Sequence, residues 1–183
     1  MAALNINNMR SQLRFGGARN TLFQITINNP VSGKADQKLP FMAQASSLPG
    51  WTLGNIAVPF MGRKINVPGD REFRPWSIEV INDEDFALRD AFETWNNKIQ
   101  TVEGNIRDLP SAESIHYTTD AIITQLSKNG VALRSYEFKN LWPMEIGEIQ
   151  MGWSQVDTIE VFPVTFMYDS YKVRGVTGNA GGV

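Results

Sequence analysis

The chain has 183 residues, a length that suits one domain burying roughly 70% of the surface its unfolded chain would expose. Hydrophobic residues make up 42% and charged residues 20%, with a formal net charge of −2. This is globular rather than disordered composition, and the charge gives no reason to expect general affinity for nucleic acid or acidic membranes. There are no cysteines, which excludes disulfides, thiolate zinc sites, iron–sulfur clusters and cysteine nucleophiles and fits a cytosolic folding environment.

The N-terminal stretch MAALNINNMRSQLRFGGARN carries Asn and Arg where a signal peptide needs a continuous apolar segment. No apolar run approaches the roughly 18 residues needed to cross a bilayer. Ile6, Met9 and Leu13 can line one side of a short helical turn that Gly16-Gly17 ends, so residues 1–19 read as an exposed arm.

Asn20 to Asn28 (NTLFQITIN) alternates Phe23, Ile25 and Ile27 against Leu22, Gln24 and Thr26, a strand pattern broken by Asn29-Pro30 and Ser32-Gly33. Phe41 to Ser47 reads as a weaker strand stopped by Leu48-Pro49-Gly50. Trp51 to Val67 is a long β-like stretch punctuated at Gly54, Pro59 and Gly62. Trp76, Ile78 and Val80 alternate with Ser77, Glu79 and Ile81, a strand with both faces at least partly covered. Leu88, Phe92, Trp95 and Ile99 then fall on one helical face. This predicts a helix over about 83–99, with Asn82 or Asp83 as its cap and Asp83, Glu84 and Asp85 at its positive end.

Thr101 to Thr119 reads as a loop. In AIITQLSKNGVALRSYEF, Asn129-Gly130 between two β-rich runs signals a hairpin. A two-residue turn pairs Lys128 with Val131, Leu126 with Leu133, Gln125 with Arg134, Thr124 with Ser135 and Ile123 with Tyr136. Both faces then mix apolar and polar residues, which suits contact with a neighbouring subunit. Leu141-Trp142-Pro143 ends this hairpin. Thr158 to Tyr168 is a final strand in which Pro163 marks an edge or a bulge. The expected organisation is a single all-β-dominated barrel or sandwich over residues 20–172 with one inserted helix, followed by a flexible Gly-rich tail over 173–183.

Reactive chemistry is sparse. His116 is the only histidine; it sits in a polar loop without a Gly-x-Ser-x-Gly elbow and reads as a solvated side chain. Metal binding is left to carboxylates. Asp83, Glu84 and Asp85 are explained by a helix start, and Glu145 and Glu148 by a polar turn, so neither group marks a glycosidase-type pair. Phosphate-binding glycine motifs are missing, and no cofactor is implied. Most of the aromatic residues fall on strand or helix faces where core packing explains them.

Phe60 to Trp76 (FMGRKINVPGDREFRPW) stands apart. Arg63, Lys64, Asp70, Arg71, Glu72 and Arg74 surround Pro68-Gly69, which reads as a turn, and they are interleaved with Phe60, Met61, Ile65, Val67 and Phe73. One reading is a solvated hairpin whose charges pair locally, as Asp70 with Arg71 or Lys64. The others are an anion site and a protein interface; mixed arginine and aromatic surfaces favour the interface.

This stretch, with NTLFQITI (20–27), Asn82-Asp83-Glu84, Leu141-Trp142-Pro143 and Gly147 to Trp153, resembles the tail tube proteins of contractile-tailed bacteriophages. The match runs from Arg19 to Tyr171, and MGRKINVPGDR (61–71) is its most specific part. The two ends of the chain look less typical of the family. The resemblance implies a small β-barrel with one helix, forming homo-hexameric rings that stack into a hollow tube inside a contractile sheath. Its implied partners are the sheath protein, baseplate and tail-terminator proteins, and double-stranded DNA passing without specific binding. It implies a virion tail component, assembled in the bacterial host cytoplasm, with no enzymatic activity. In the family an extended loop reaches the neighbouring ring, and Trp51 to Phe73 is the candidate for it. Phe60, Met61 and Ile65 would form the apolar part of this contact, with Arg63, Lys64, Asp70 and Arg71 setting register. The lumen wall is expected to be small, polar or acidic. Alternatives are the tube-initiating baseplate paralogue, a type VI secretion ring protein, and a carbohydrate-binding or hydrolytic tail component.

Overall fold

Alternation decides which side chains the strands of the body send inward. The computed structural model describes residues 5–13, 17–102, 104 and 117–175. In β1 (Phe23–Ile27), Ile25 and Ile27 are buried while Gln24 and Thr26 are exposed. In β5 (Trp76–Ile81), Trp76, Ile78 and Val80 are buried and Ser77 and Glu79 are exposed. The outer face of β5 is therefore open in the single chain, not covered as its composition suggests.

The hydrogen-bonded path is β1-β6-β7-β8-β5-β2, every pair antiparallel, with β9 also on β7. Here β2 is Ala43–Ser46, β6 Thr119–Leu126, β7 Ala132–Ile146, β8 Val161–Met167 and β9 Ser170–Gly175. The long β7 serves two sheets. Its first part, Arg134 to Lys139, lies between β6 and β9, whereas Trp142 to Ile146 pairs with β8. The switch falls at Asn140, whose φ of 56° bends the strand through the left-handed region that Asn tolerates. Leu141-Trp142-Pro143 thus continues the strand around a corner instead of ending it. Asp169 anchors the same corner from β9's side: its N–H donates to the Lys139 carbonyl and its carboxylate accepts from Asn140 Nδ2.

The first sheet, β1-β6-β7-β9, packs on the second, β7-β8-β5-β2, through aromatic side chains. Trp76 stacks on Phe138 with centroids 4.4 Å apart, and Phe166 lies 5.6 Å from Trp76. The indole of Trp76 is kept from being an orphaned donor by Ser46 Oγ (3.1 Å) and the Ser47 carbonyl (2.9 Å). Besides α1 (Ile6–Gln12) in the N-terminal arm and the short α2 (Leu39–Met42), the chain has helix α3 (Ala87–Ile99), which adds Leu88, Phe92 and Trp95 to this core, with Phe92 edge-on to Phe166.

Several local expectations are corrected. The sequence pattern places α3's start near residue 83, but it begins at Ala87, after Phe86 in a left-handed conformation (φ 51°). Asp83 and Asp85 instead hold Lys38, and Asp85 also accepts the Ala87 N–H. Asn82 is no cap; its buried side chain donates to the Glu160 carboxylate at 2.9 Å. Phe41 and Met42 belong to the short helix α2 (Leu39–Met42), opened by Pro40 in its first turn, so strand pairing starts only at Ala43. Glu145 lies within β7, not in a turn.

The β6–β7 turn has three residues, because Gly130 takes φ 75° after a turn closed by its N–H to the Ser127 carbonyl. The pairs at 123, 124 and 125 form as expected, but the extra residue sets Leu126 opposite Ala132, not Leu133. Pro163 sits in β8 where β7 ends; Gly147 N–H bonds its carbonyl at 2.7 Å. A Cβ on Gly147 would lie 2.4 Å from Pro163 Cγ, so only glycine permits this approach. The sequence pattern also misses β9, which carries pairing to Gly175, past the 172 boundary expected for the domain.

Candidate functional site

The remaining two strands, β3 (Trp51–Phe60) and β4 (Arg63–Phe73), form a separate two-stranded sheet. The Arg74 N–H to Gly50 carbonyl bond closes its base. The turn is Met61-Gly62, with φ of 45° and 81°; Pro68-Gly69 lies inside β4. Positive φ at both central residues matches the turn twist that hairpins favour. Met61 is therefore the tip of an arm, and it is 91% exposed.

Cross-strand partners share a face, so the register sorts the hairpin. Ile56 opposes Val67, Val58 opposes Ile65 and Phe60 opposes Arg63. These positions form one face, apolar except for Arg63. Asn55 with Pro68, Ala57 with Asn66 and Pro59 with Lys64 form the other.

Nearer the base the pattern inverts. Gly69 and Asp70 together oppose Gly54, a bulge in which both glycine backbones approach closely. Beyond it Leu53 opposes Arg71 and Trp51 opposes Phe73, so the apolar residues now lie on the Lys64 face. The Arg71 guanidinium stacks on the Trp51 ring at 4.6 Å. Phe73 joins the hairpin to the body through Tyr168 and Tyr171, at 5.9 and 5.6 Å.

All of β3 is exposed, and so is β4 except at Gly69 and Phe73. Among the described residues Arg63, Lys64, Asp70 and Glu72 have no ion-pair partner. The local pairing of Asp70 with Arg71 or Lys64 does not form, so the hairpin is not a self-neutralised solvated loop. Of the residues singled out in sequence, the structure brings Phe60, Arg63 and Ile65 to one face, sets Lys64 on the other, and puts Met61 at the tip and Asp70 in the bulge. Ile56 and Val58 were missed. Their alternation with Phe60, read across to Ile65 and Val67, was the available signal.

Elsewhere, the described residues offer little with which to do chemistry. Among the described residues no three His, Asp or Glu side chains converge as metal ligands, and His116 lies outside them. A groove of about 380 Å³ runs between the starts of β1 and the end of β2, lined by Leu22, Phe23, Leu48 and Ile123 with Arg19 its one charged residue. It offers no paired acid and base. Tyr168 has its pKa pushed up to about 12 by burial, and its hydroxyl has no partner among the described residues. It packs on Phe138 at 4.9 Å, so it belongs to the core.

The outer faces of the two sheets differ. On the second sheet it presents Ser77, Glu79, Glu145 and Thr165, with Ser77 and Thr165 hydroxyls 3.0 Å apart. On the first it carries Lys139 paired with Asp120 and Arg174 paired with Glu137.

The family model for phage tail tube proteins matches residues 7–174. The chain is 34% identical over 156 residues to tail tube protein gp19 of Enterobacteria phage T4, covering 85% of this chain and 91% of that protein. It is 27% identical over 168 residues to the tail tube protein of Serratia phage KSP90, covering 89% and 93%. In fold it is similar to a chain of the extended sheath-tube complex of the PVC extracellular contractile injection system, with TM-score 0.63, 15% identity and coverage of 91% and 97%. It is also similar to a chain of the anti-feeding prophage tube-terminating cap, with TM-score 0.61, 15% identity and coverage of 87% and 91%.

Proposed function

The chain belongs to the phage tail tube protein family, and from that premise we propose how it builds its tube. It is a structural subunit of a tail tube and a component of the virion tail. Six copies form a ring, and rings stack into a hollow conduit inside a contractile sheath, bounded by baseplate and terminator proteins, through which double-stranded DNA passes into the host. The role that the family implies is structural, not enzymatic.

The β3–β4 hairpin is the observation that carries this reading. A two-stranded ribbon that buries almost nothing in its own chain is marginal in water, and its aligned, exposed Ile56, Val58, Phe60, Ile65 and Val67 make an apolar patch of the kind that marks an interaction surface. Stacking supplies the missing burial: the hairpin reaches the neighbouring ring, its apolar face providing area and Arg63, Lys64, Asp70 and Arg71 fixing register.

The second sheet ends in β2 on one side and in residues 142–146 of β7 on the other, and among the described residues no further strand pairs with either edge. Joined edge to edge around six copies, such sheets close into a wall without free edges. Its outer face, with Ser77, Glu79, Glu145 and Thr165, lines the lumen. DNA slides past acids and hydroxyls without the phosphate contacts that each lysine or arginine would add.

Negative-stain microscopy of the purified protein tests the reading. Long hollow tubes are expected, and Arg63→Glu with Lys64→Glu should leave folded subunits that do not polymerise. Single rings that never lengthen would assign the chain to tube initiation at the baseplate. Discrete monomers under all conditions would sink the tube reading, and normal-length tubes from the double variant would remove the hairpin from the contact.

A further inference from the structure

The hairpin leaves the second sheet at one end of its strands, and the opposite end carries its chemical complement. β5 starts at Trp76, just past the hairpin base, and ends at Ile81; β8 runs back from Val161 opposite Ile81 to Phe166 opposite Trp76. The 147–160 segment that links β7 to β8 therefore emerges at the Ile81 end, the full length of β5 from the hairpin.

This segment is apolar, exposed and acidic at once. Met151, Trp153, Val156 and Ile159 are all more than 70% exposed. Glu148, Asp157 and Glu160 lie within it, with no lysine or arginine. Two bonds join it to the neighbouring acidic turn: Asn82 N–H to the Glu160 carbonyl (2.8 Å) and Asn82 Nδ2 to the Glu160 carboxylate (2.9 Å). That turn adds Asp83, Glu84 and Asp85. Lys38 answers Asp83 and Asp85, and Arg89 answers Glu93, which leaves Glu84 and the segment's own carboxylates without a cation among the described residues. The hairpin, residues 51–74, has four cations against two anions.

We propose that the hairpin of one copy seats on the 147–160 segment of the next copy along the stack. The assignment rests on the tube reading above and names the surface that receives the arm. Apolar meets apolar, Arg63 and Lys64 meet Glu84 and Glu148, and like charges are kept apart. Because the two surfaces lie at opposite ends of one subunit, the contact is head-to-tail. It leaves a free hairpin at one end of every stack and a free acidic segment at the other, so it propagates instead of closing at a dimer. A hairpin-to-hairpin contact would set Arg63 and Lys64 against their own copies and stop at two.

Charge exchange in the full chain tests this, with tube yield read by pelleting and microscopy at low salt. Arg63→Glu/Lys64→Glu and Glu84→Lys/Glu148→Lys should each lower tube yield at least about tenfold, and the quadruple variant should recover most of it. All four positions are exposed, and circular dichroism with thermal melting checks that each variant folds. If the lysine pair impairs folding, Glu84→Gln/Glu148→Gln replaces it, with lower tube yield again expected. A quadruple variant that stays unassembled, or tubes unaffected by changes at Glu84 and Glu148, overturns the docking while leaving the tube reading in place. Wild-type protein that gives neither rings nor tubes overturns both.

Discussion

Ile78 and Val80 in β5 and Ile56 and Val58 in β3 are the same residues at the same spacing, yet the first pair is 1% and 0% exposed and the second 55% and 45%. Both strands are extended and both are paired. The difference lies in what stands opposite. β5 packs with Phe138, Phe166 and the helix from within its own chain, whereas no described residue of the chain covers β3. Periodicity states that a face is apolar; only the rest of the fold, or another copy, states what covers it.

The contrast breaks hardest at the body. Trp76→Ala removes the ring stacked on Phe138 and should cost about 3–5 kcal/mol, seen as a lower urea midpoint with the hairpin sequence intact. Ile65→Asp on the hairpin should do the opposite: subunit stability within about 0.5 kcal/mol of wild type, but loss of tubes by sedimentation. If Ile65→Asp unfolds the free subunit, the hairpin is part of the body after all.

Two further measurements sharpen the body's side. Alkali should destabilise it through Tyr168. The folded protein holds this proton up to about 12 while the unfolded chain releases it near 10, so the stability is present below pH 10 and lost as pH rises toward 12. The loss approaches about 2–3 kcal/mol, and Tyr168→Phe should flatten that part of the pH-stability curve. Gly147→Ala, forced against Pro163, should cost about 1–3 kcal/mol in the same denaturation assay. The smallest effect is expected at Lys38→Met. Its ammonium is held above the usual lysine range by Asp85 first and Asp83 second, but the cluster is exposed and screened, and thermal melting should shift only slightly.

The body was largely legible in the sequence because its strands bury one face within the chain: the inward sets at 23–27 and 76–81, the helical face at 88, 92 and 95, and most of the β6–β7 register. What escaped depended on partners far away in sequence. β7 runs through Leu141-Trp142-Pro143 because β8 is there to pair with Trp142 and Ile146. α3 starts late because residues 82–86 form a turn closed by Phe86 N–H on the Asp83 carbonyl and tied to a distant segment by Asn82 on Glu160. In the hairpin, Pro68-Gly69 carries the strongest local turn signal, yet pairing of Val58 with Ile65 and Ile56 with Val67 puts the turn at Met61-Gly62 and makes Gly69 half of a bulge. The family resemblance pointed to the Trp51 to Phe73 segment and, within it, to Phe60, Arg63 and Ile65. The face they share became visible only once the register was known.

Burial of the hairpin's apolar face by assembly is open to direct measurement. The chain has no cysteine, so Val58→Cys introduces a single thiol on that face, and its rate of maleimide labelling can be compared in free subunits and in tubes. Rapid labelling of the free subunit and at least about tenfold protection in tubes is the expected result, as interface cores exclude solvent. Equal rates in the two states would contradict the account.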